Sequence, residues 1–183
     1  MDIRNQLLTA GAVLALSLGP GLATAQSDTA GLDQSDQFII SSIASFGAVS
    51  FTTTVHDSSN NQQWSYNRSV TISGARTDPD ACTIKFHFTE LTPGHPTVDK
   101  DAGIPLRLTR EVRVLTLDEE VDQINADSGH PTWLVNSQPE VYVVHVIRTD
   151  AKTNDLDFND LGGAQRVAAA IRRAATLCGG GLG

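Results

Sequence analysis

Apolar and polar residues alternate from Val49 onward, with Val49, Phe51, Thr53 and Val55 on one side and Ser50, Thr52, Thr54 and His56 on the other. That period of two is the pattern of a half-buried β-strand. Asp57-Ser-Ser-Asn-Asn61 supplies turn formers. Trp64, Tyr66, Arg68, Val70 and Ile72 then alternate with Ser65, Asn67, Ser69 and Thr71 up to Ser73-Gly74, so the two runs predict a β-hairpin. A third strand over residues 81–91 groups Cys82, Ile84, Phe86 and Phe88 on one face, with Thr83, Lys85, His87 and Thr89 opposite. Cys82 is thereby expected in the core.

The segment 92–103 carries two prolines and two glycines without periodicity, and reads as a long surface loop. Residues 106–117 are β-like, but the apolar phase slips after Val114, which predicts a bulge or bend. The acidic segment 118–127 is expected to form a helical turn or a wide loop. Strands follow over 132–135 and 140–147. In the second of these, Val141, Val143, His145 and Ile147 oppose Tyr142, Val144 and Val146, so both faces are apolar and the strand is expected to be central and covered on both sides.

Helical spacing occurs at each end of this β region. Phe38, Ile39, Ile43 and Phe46 predict a short helix stopped by Gly47. After a polar loop, Leu161, Ala164, Val167, Ala168, Ile171, Ala174, Ala175 and Cys178 form one apolar stripe. Asn159 or Asp160 is the expected N-cap, and Gly179-Gly180-Gly181 ends the helix. The fold class is therefore α+β: a bent antiparallel sheet, or a small barrel or sandwich, of about six or seven strands, with a short N-terminal helix and a capping C-terminal helix.

The first residues follow a different rule. Residues 7–22 are rich in Leu, Ala, Val and Gly and lead to Ala23-Thr-Ala25, so 1–25 read as a secretory signal peptide cleaved near Ala25-Gln26. Gly19-Pro-Gly21 breaks the apolar stretch below the roughly 20 residues needed to span a bilayer, and no stable membrane insertion is expected. Residues 26–36 have the composition of a flexible lead-in, 37–179 form a single domain, and 180–183 form a flexible tail. A secreted or periplasmic location follows. The net charge of −8 and pI near 4.9 argue against nucleic acid as a partner. Export also gives the two cysteines an oxidising setting, so Cys82 and Cys178 are expected to form a disulfide.

Motifs for chemistry are sparse. The five histidines (His56, His87, His95, His130 and His145) show no zinc-type spacing, and His145 reads best as a hydrogen-bonded core residue. His87 with Glu90 makes a surface pair at most. Asp155, Asp157 and Asn159 have the one, three, five spacing of a calcium loop, but Asp160 stands where Gly is required and Arg166 where the bidentate Glu is required. Asp99-Lys-Asp101 is a weaker fragment of the same kind. No Gly-x-Ser-x-Gly elbow or Ser-x-x-Lys occurs. Asn67-Arg-Ser69 matches a glycosylation acceptor, relevant only in a eukaryotic secretory pathway, and Trp64, Tyr66 and Trp133 are candidates for an exposed binding face.

The closing residues Leu156-Asp-Phe158, Ala164-Gln-Arg166-Val-Ala-Ala-Ala170, Ala174 and Leu177-Cys-Gly179 resemble the ending of uncharacterised exported bacterial proteins over about thirty residues. The order of strands followed by one capping helix also resembles pleckstrin-homology-like domains. That resemblance implies a binding scaffold and carries over no site residues, since their basic phosphoinositide-binding loops have no counterpart in this acidic chain. The expectation is a non-enzymatic binding or interaction domain without a cofactor, whose partner is a protein or an apolar small molecule. The alternatives are a small hydrolase with a triad drawn from scattered residues, and a calcium-dependent module using Asp155, Asp157 and Asn159. The oligomeric state is not legible.

Overall fold

The inward phase of the first hairpin seeds a five-stranded antiparallel sheet. A computed structural model describes residues 20–78, 81–128 and 133–182. In chain order the elements are α1 (Pro20–Phe46), β1 (Ala48–Asp57), β2 (Gln62–Asp78), β3 (Thr83–Leu91), β4 (Val98–Pro105), a 3-10 turn (Leu106–Leu108), β5 (Thr109–Thr116), α2 (Leu117–Ser128), β6 (Trp133–Gln138), β7 (Tyr142–Arg148), β8 (Thr153–Phe158) and α3 (Leu161–Leu177). The large sheet runs β4-β3-β2-β1-β6 and a second, three-stranded sheet runs β5-β7-β8. All pairings are antiparallel. The fold is α+β, as expected.

Register sets which side chains share a face. Val49 lies opposite Val70, Thr53 opposite Tyr66, Val55 opposite Trp64, and Ile84 opposite Ile104, so one face of the large sheet carries the apolar set into the core. In the small sheet, Val144 pairs with Leu156 and Val143 with Asp157. Helix α3 packs across β5, β7 and β8, which leaves the Val143 and His145 side of β7 turned toward the large sheet. As predicted, β7 is central and covered on both faces.

Several elements depart from the sequence reading. The expected loop 92–103 gives way to β4, an edge strand hydrogen-bonded to β3 alone. An edge strand buries little, and only Ile104 of this one is fully covered, so its alternation was masked by Asp99, Asp101 and Gly103. The polar stretch before α3 contains β8, the edge of the small sheet, whose covered residues Leu156, Asp157 and Phe158 are consecutive and therefore show no alternation. The irregularity in residues 106–117 lies earlier than expected, at the 3-10 turn and a register shift between Thr109 and Glu111; Leu115 pairs in register with Val143, and Leu117 is out of phase because it opens α2.

Helix α1 takes in residues 26–36, for which a flexible lead-in was expected. Its covered stripe is Gly31, Leu32, Ser35, Asp36, Ile39 and Ile43, written in small and polar residues as far as Asp36, so the helical period carried no hydrophobic signal there. The stripe faces α3: a side chain at Gly31 would meet Arg173 and Leu177. Gly47 ends the helix as predicted, because a Cβ there would lie 2.4 Å from the Ile43 carbonyl oxygen and 2.5 Å from that of Ile72. Residues 1–19 and His130 lie outside the described residues, and the expected cleavage bond Ala25–Gln26 falls within α1.

The end of α3 is closed in two ways. Asp160 is the N-cap, accepting from the Gly163 N–H, and the C-terminus forms a Schellman motif. In that motif the Gly180 N–H donates to the Ala175 carbonyl at 2.7 Å and the Gly179 N–H to that of Thr176 at 3.0 Å, with Gly179 at φ +78°. Cys178 is thereby aimed at Cys82, and the two form a disulfide with Cα atoms 6.0 Å apart. The Leu106 N–H donates to the Cys82 carbonyl, so β3, the 3-10 turn and α3 meet at this bond. Packing continues past the expected domain limit at residue 179, since Leu182 lies against the core.

Peptide mapping without reduction is expected to recover Cys82 and Cys178 in one linked species. Replacing both by alanine is expected to lower unfolding stability in urea by up to about 4–5 kcal/mol, the chain-entropy value for a loop of 96 residues. Free thiols at both positions in protein purified under oxidising conditions would contradict the assignment.

Candidate functional site

Charged residues on the inward phase of four strands give the protein a polar layer between its sheets. Arg68 follows Trp64 and Tyr66 on β2, and Glu90 follows Phe86 and Phe88 on β3; the Arg68 Nε donates to Glu90 Oε1 at 2.8 Å. On the facing small sheet, register places His145 of β7 directly opposite Asp155 of β8, with Asp157 two residues further along the same face. His145 Nδ1 lies 2.6 Å from Asp155 Oδ1 and 3.9 Å from Glu120 Oε1.

Glu120 reaches this layer because α2 starts where it does. Thr116 and Glu119 form a capping box, in which the Thr116 N–H donates to Glu119 Oε2 and the Glu119 N–H donates to Thr116 Oγ1. Fixing that first turn sets Leu117, Glu120, Val121 and Asn125 on the face that covers the large sheet. The Asn125 side chain also donates to the Trp133 carbonyl, tying α2 to β6.

Two cavities meet at Arg68. One, of about 320 Å³, lies between the sheets and is lined by Phe86, Phe88, Lys100, Glu120, Asp155 and Asp157 among others. The other, of about 480 Å³, lies between α2 and the large sheet, with walls of Val55, Trp64, Tyr66, Leu117, Val121 and Trp133. Trp64 and Trp133 pack edge to face with ring centroids 5.7 Å apart. Thr53, 2% exposed, turns into this second cavity, and its hydroxyl has no hydrogen-bond partner among the described residues.

Electrostatics at the polar end follow from desolvation. Burial, reinforced by the charges of Asp155 and Asp157, raises Glu120 to about 7. Burial likewise raises Asp157 to about 6, against the opposing pull of Arg68. His145 is raised by its hydrogen bond to Asp155, which outweighs burial. Burial lowers Arg68, but the hydrogen bond and charge of Glu90 more than offset this and hold it above its ordinary value.

The sequence candidates divide accordingly. Asp155 and Asp157 belong to the inter-sheet layer as strand residues, whereas Asn159 lies beyond the end of β8 and is exposed. His87, expected beside Glu90, instead contacts Asp99 and Asp101 of β4 on the outer face. The hydrogen bonds of His145 and His87 go to carboxylates, and among the described residues neither meets a hydroxyl nucleophile. Asn67 is exposed and accepts from the Thr52 hydroxyl. Arg68 and Glu120 have no site role in the sequence reading, and Glu90 enters it only as a surface partner of His87. Two of them carried a signal, a charge in phase with the core residues of its strand; the third carried the capping box Thr116-Leu-Asp-Glu119.

No protein-family model, curated protein or solved structure matches the chain. The likeness to pleckstrin-homology-like domains accordingly rests on the order of strands and helix alone.

Stability is expected to fall as pH rises through the range of these groups. Glu120 titrates at about 4.5 when unfolded and about 7 when folded, so the folded state holds its proton more tightly and loses that advantage between those values. Asp157 acts in the same sense from 3.8 to about 6. The gain from protonated His145 is full below 6.5 and disappears above its raised folded value. Thermal unfolding in a chelating buffer is expected to show Glu120→Gln stabilised over the parent by up to about 3 kcal/mol at pH 8, with little difference at pH 4. A loss of stability at pH 8 would show that the Glu120 charge is favourable on balance.

Proposed function

We propose that the chain is an exported, non-enzymatic binding domain that takes a small, apolar, ring-bearing molecule between α2 and the concave face of the large sheet. The observation that carries this reading is the aromatic-walled cavity of about 480 Å³, a volume typical of small-molecule sites. Trp64, Tyr66 and Trp133 offer ring faces and edges, and Val55, Leu117 and Val121 complete an apolar lining. A buried hydroxyl without a partner costs about 1–3 kcal/mol, and a polar atom on the bound molecule would relieve that cost at Thr53.

Export is part of the same reading. The buried Cys82–Cys178 disulfide fits an oxidising compartment, and no helix among the described residues is long and apolar enough to cross a membrane. Cleavage after Ala25 would remove the first six residues of α1 and leave intact the stripe from Gly31 onward that packs on α3. Mass spectrometry of the exported protein is expected to give Gln26 as its first residue. A mature chain that retains residues 1–25 would oppose the signal-peptide assignment.

Binding is testable with N-phenyl-1-naphthylamine, a neutral aromatic probe. Its fluorescence is expected to rise saturably with a stoichiometry of one. Val121→Trp, which fills the cavity, is expected to weaken binding at least tenfold, whereas Leu134→Ala on the outer face of β6 leaves it unchanged. Trp133→Ala provides a second variant that opens the wall without overfilling it. Equal affinity in Val121→Trp, Trp133→Ala and the parent would remove the cavity as the site.

A further inference from the structure

The geometry points to a divalent transition-metal site, zinc by preference, held by Glu120, His145 and Asp155, with the buried carboxylate of Asp157 lining the same cavity. It does not depend on the small-molecule reading, since it uses the other end of the groove. One donor atom from each of Glu120, His145 and Asp155 lies within 4.8 Å of the other two. These residues come from α2, β7 and β8, two of them fixed opposite each other by strand pairing. Metal–ligand bonds of about 2.0–2.2 Å need donor atoms roughly 3 Å apart. The separations of 2.6 Å and 3.9 Å from His145 Nδ1 bracket that value, so an ion would take the place of the proton shared by His145 and Asp155.

Asp157 supplies the independent observation. It is 8% exposed and lines the inter-sheet cavity, yet among the described residues nothing donates a hydrogen bond to its carboxylate. Its nearest cation, Arg68, is engaged by Glu90. With that pair engaged, the carboxylates of Glu120, Asp155 and Asp157 gather beside the single imidazole of His145, and Lys100 lines the same cavity. Buried anions in excess are stable when they coordinate an ion. A divalent cation restores neutrality where hydrogen bonds cannot.

Imidazole among the donors selects zinc or a neighbouring transition metal over calcium, which takes oxygen ligands at longer distance. Glu120, Asp155 and Asp157 all line the open 320 Å³ cavity, so an ion with attached water has a route in. The exposed contacts of His87 with Asp99 and Asp101 share the residue types but lie on the outer face, and they serve as an internal control.

Isothermal titration of the EDTA-stripped full chain with zinc chloride is expected to show one site of micromolar or tighter affinity, and saturation is expected to raise the unfolding midpoint by several degrees. Glu120→Gln and His145→Ala are each expected to weaken binding at least tenfold, and His87→Ala to leave it unchanged. Glu120→Gln preserves the His145–Asp155 pair, so its result holds even where His145→Ala fails to fold. The proposal is overturned by absence of zinc binding, by affinity unchanged in Glu120→Gln, by loss in His87→Ala instead, or by calcium binding in place of zinc.

Discussion

Packing the small sheet against the large one takes Glu120 and Asp157 out of bulk water, with the more exposed Asp155 beside them, and this constraint shapes the centre of the molecule. Glu90 already occupies Arg68, and His145 holds Asp155 closely while keeping Glu120 at a longer distance. The resulting repulsion and desolvation oppose the packing of the sheets. What holds them together must come from elsewhere in the core.

That support is apolar and lies behind the small sheet. The α3 stripe of Ala164, Val167, Ala168, Ile171, Ala174 and Ala175 is fully buried, and Val144, Leu156 and Phe158 are covered on the same layer. Helix α1 backs α3 in turn, with Ile39 and Ile43 as its apolar contacts. At the far end the disulfide joins α3 to the start of β3, a strand that also carries Glu90. Loosening α3 would therefore free the small sheet and open the polar layer, which links a bond near the C-terminus to the geometry of Asp155 and Asp157.

Much of this arrangement was legible where one face is apolar and the other polar. β1, the first half of β2, β3 and α3 satisfy that condition, β7 was legible through its two apolar faces, and the meeting of Cys82 with Cys178 follows from the same patterns. The signal fails wherever burial is one-sided by position. Edge strand β4 covers little area, β8 is buried through three consecutive residues that include Asp157, and the α1 stripe from Gly31 to Asp36 is buried through small and polar side chains. For the site, alternation already placed Arg68 among core residues, whereas Glu90, in phase with Phe86 and Phe88, was read as a surface partner of His87; a charge on an inward phase is the more informative observation because it must be compensated. The pairing of His145 with Asp155 was beyond reach, because it follows from a β7–β8 register that exists only once β8 is recognised as a strand.

Arg68 has a further consequence for how the groove works. It stands where the aromatic cavity and the acidic cavity meet, and its ion pair with Glu90 presents a nearly neutral boundary between them. The apolar end therefore remains suited to uncharged rings, while the acidic end keeps its excess of carboxylates for a cation. Helix α2 contributes to both, with Val121 in one wall and Glu120 in the other, one residue apart on a turn fixed by Thr116 and Glu119. A displacement of α2 that admits a bulky ring would move Glu120 relative to His145. The two ends are thus mechanically coupled through a single helical turn, although their chemistries are separated by one ion pair.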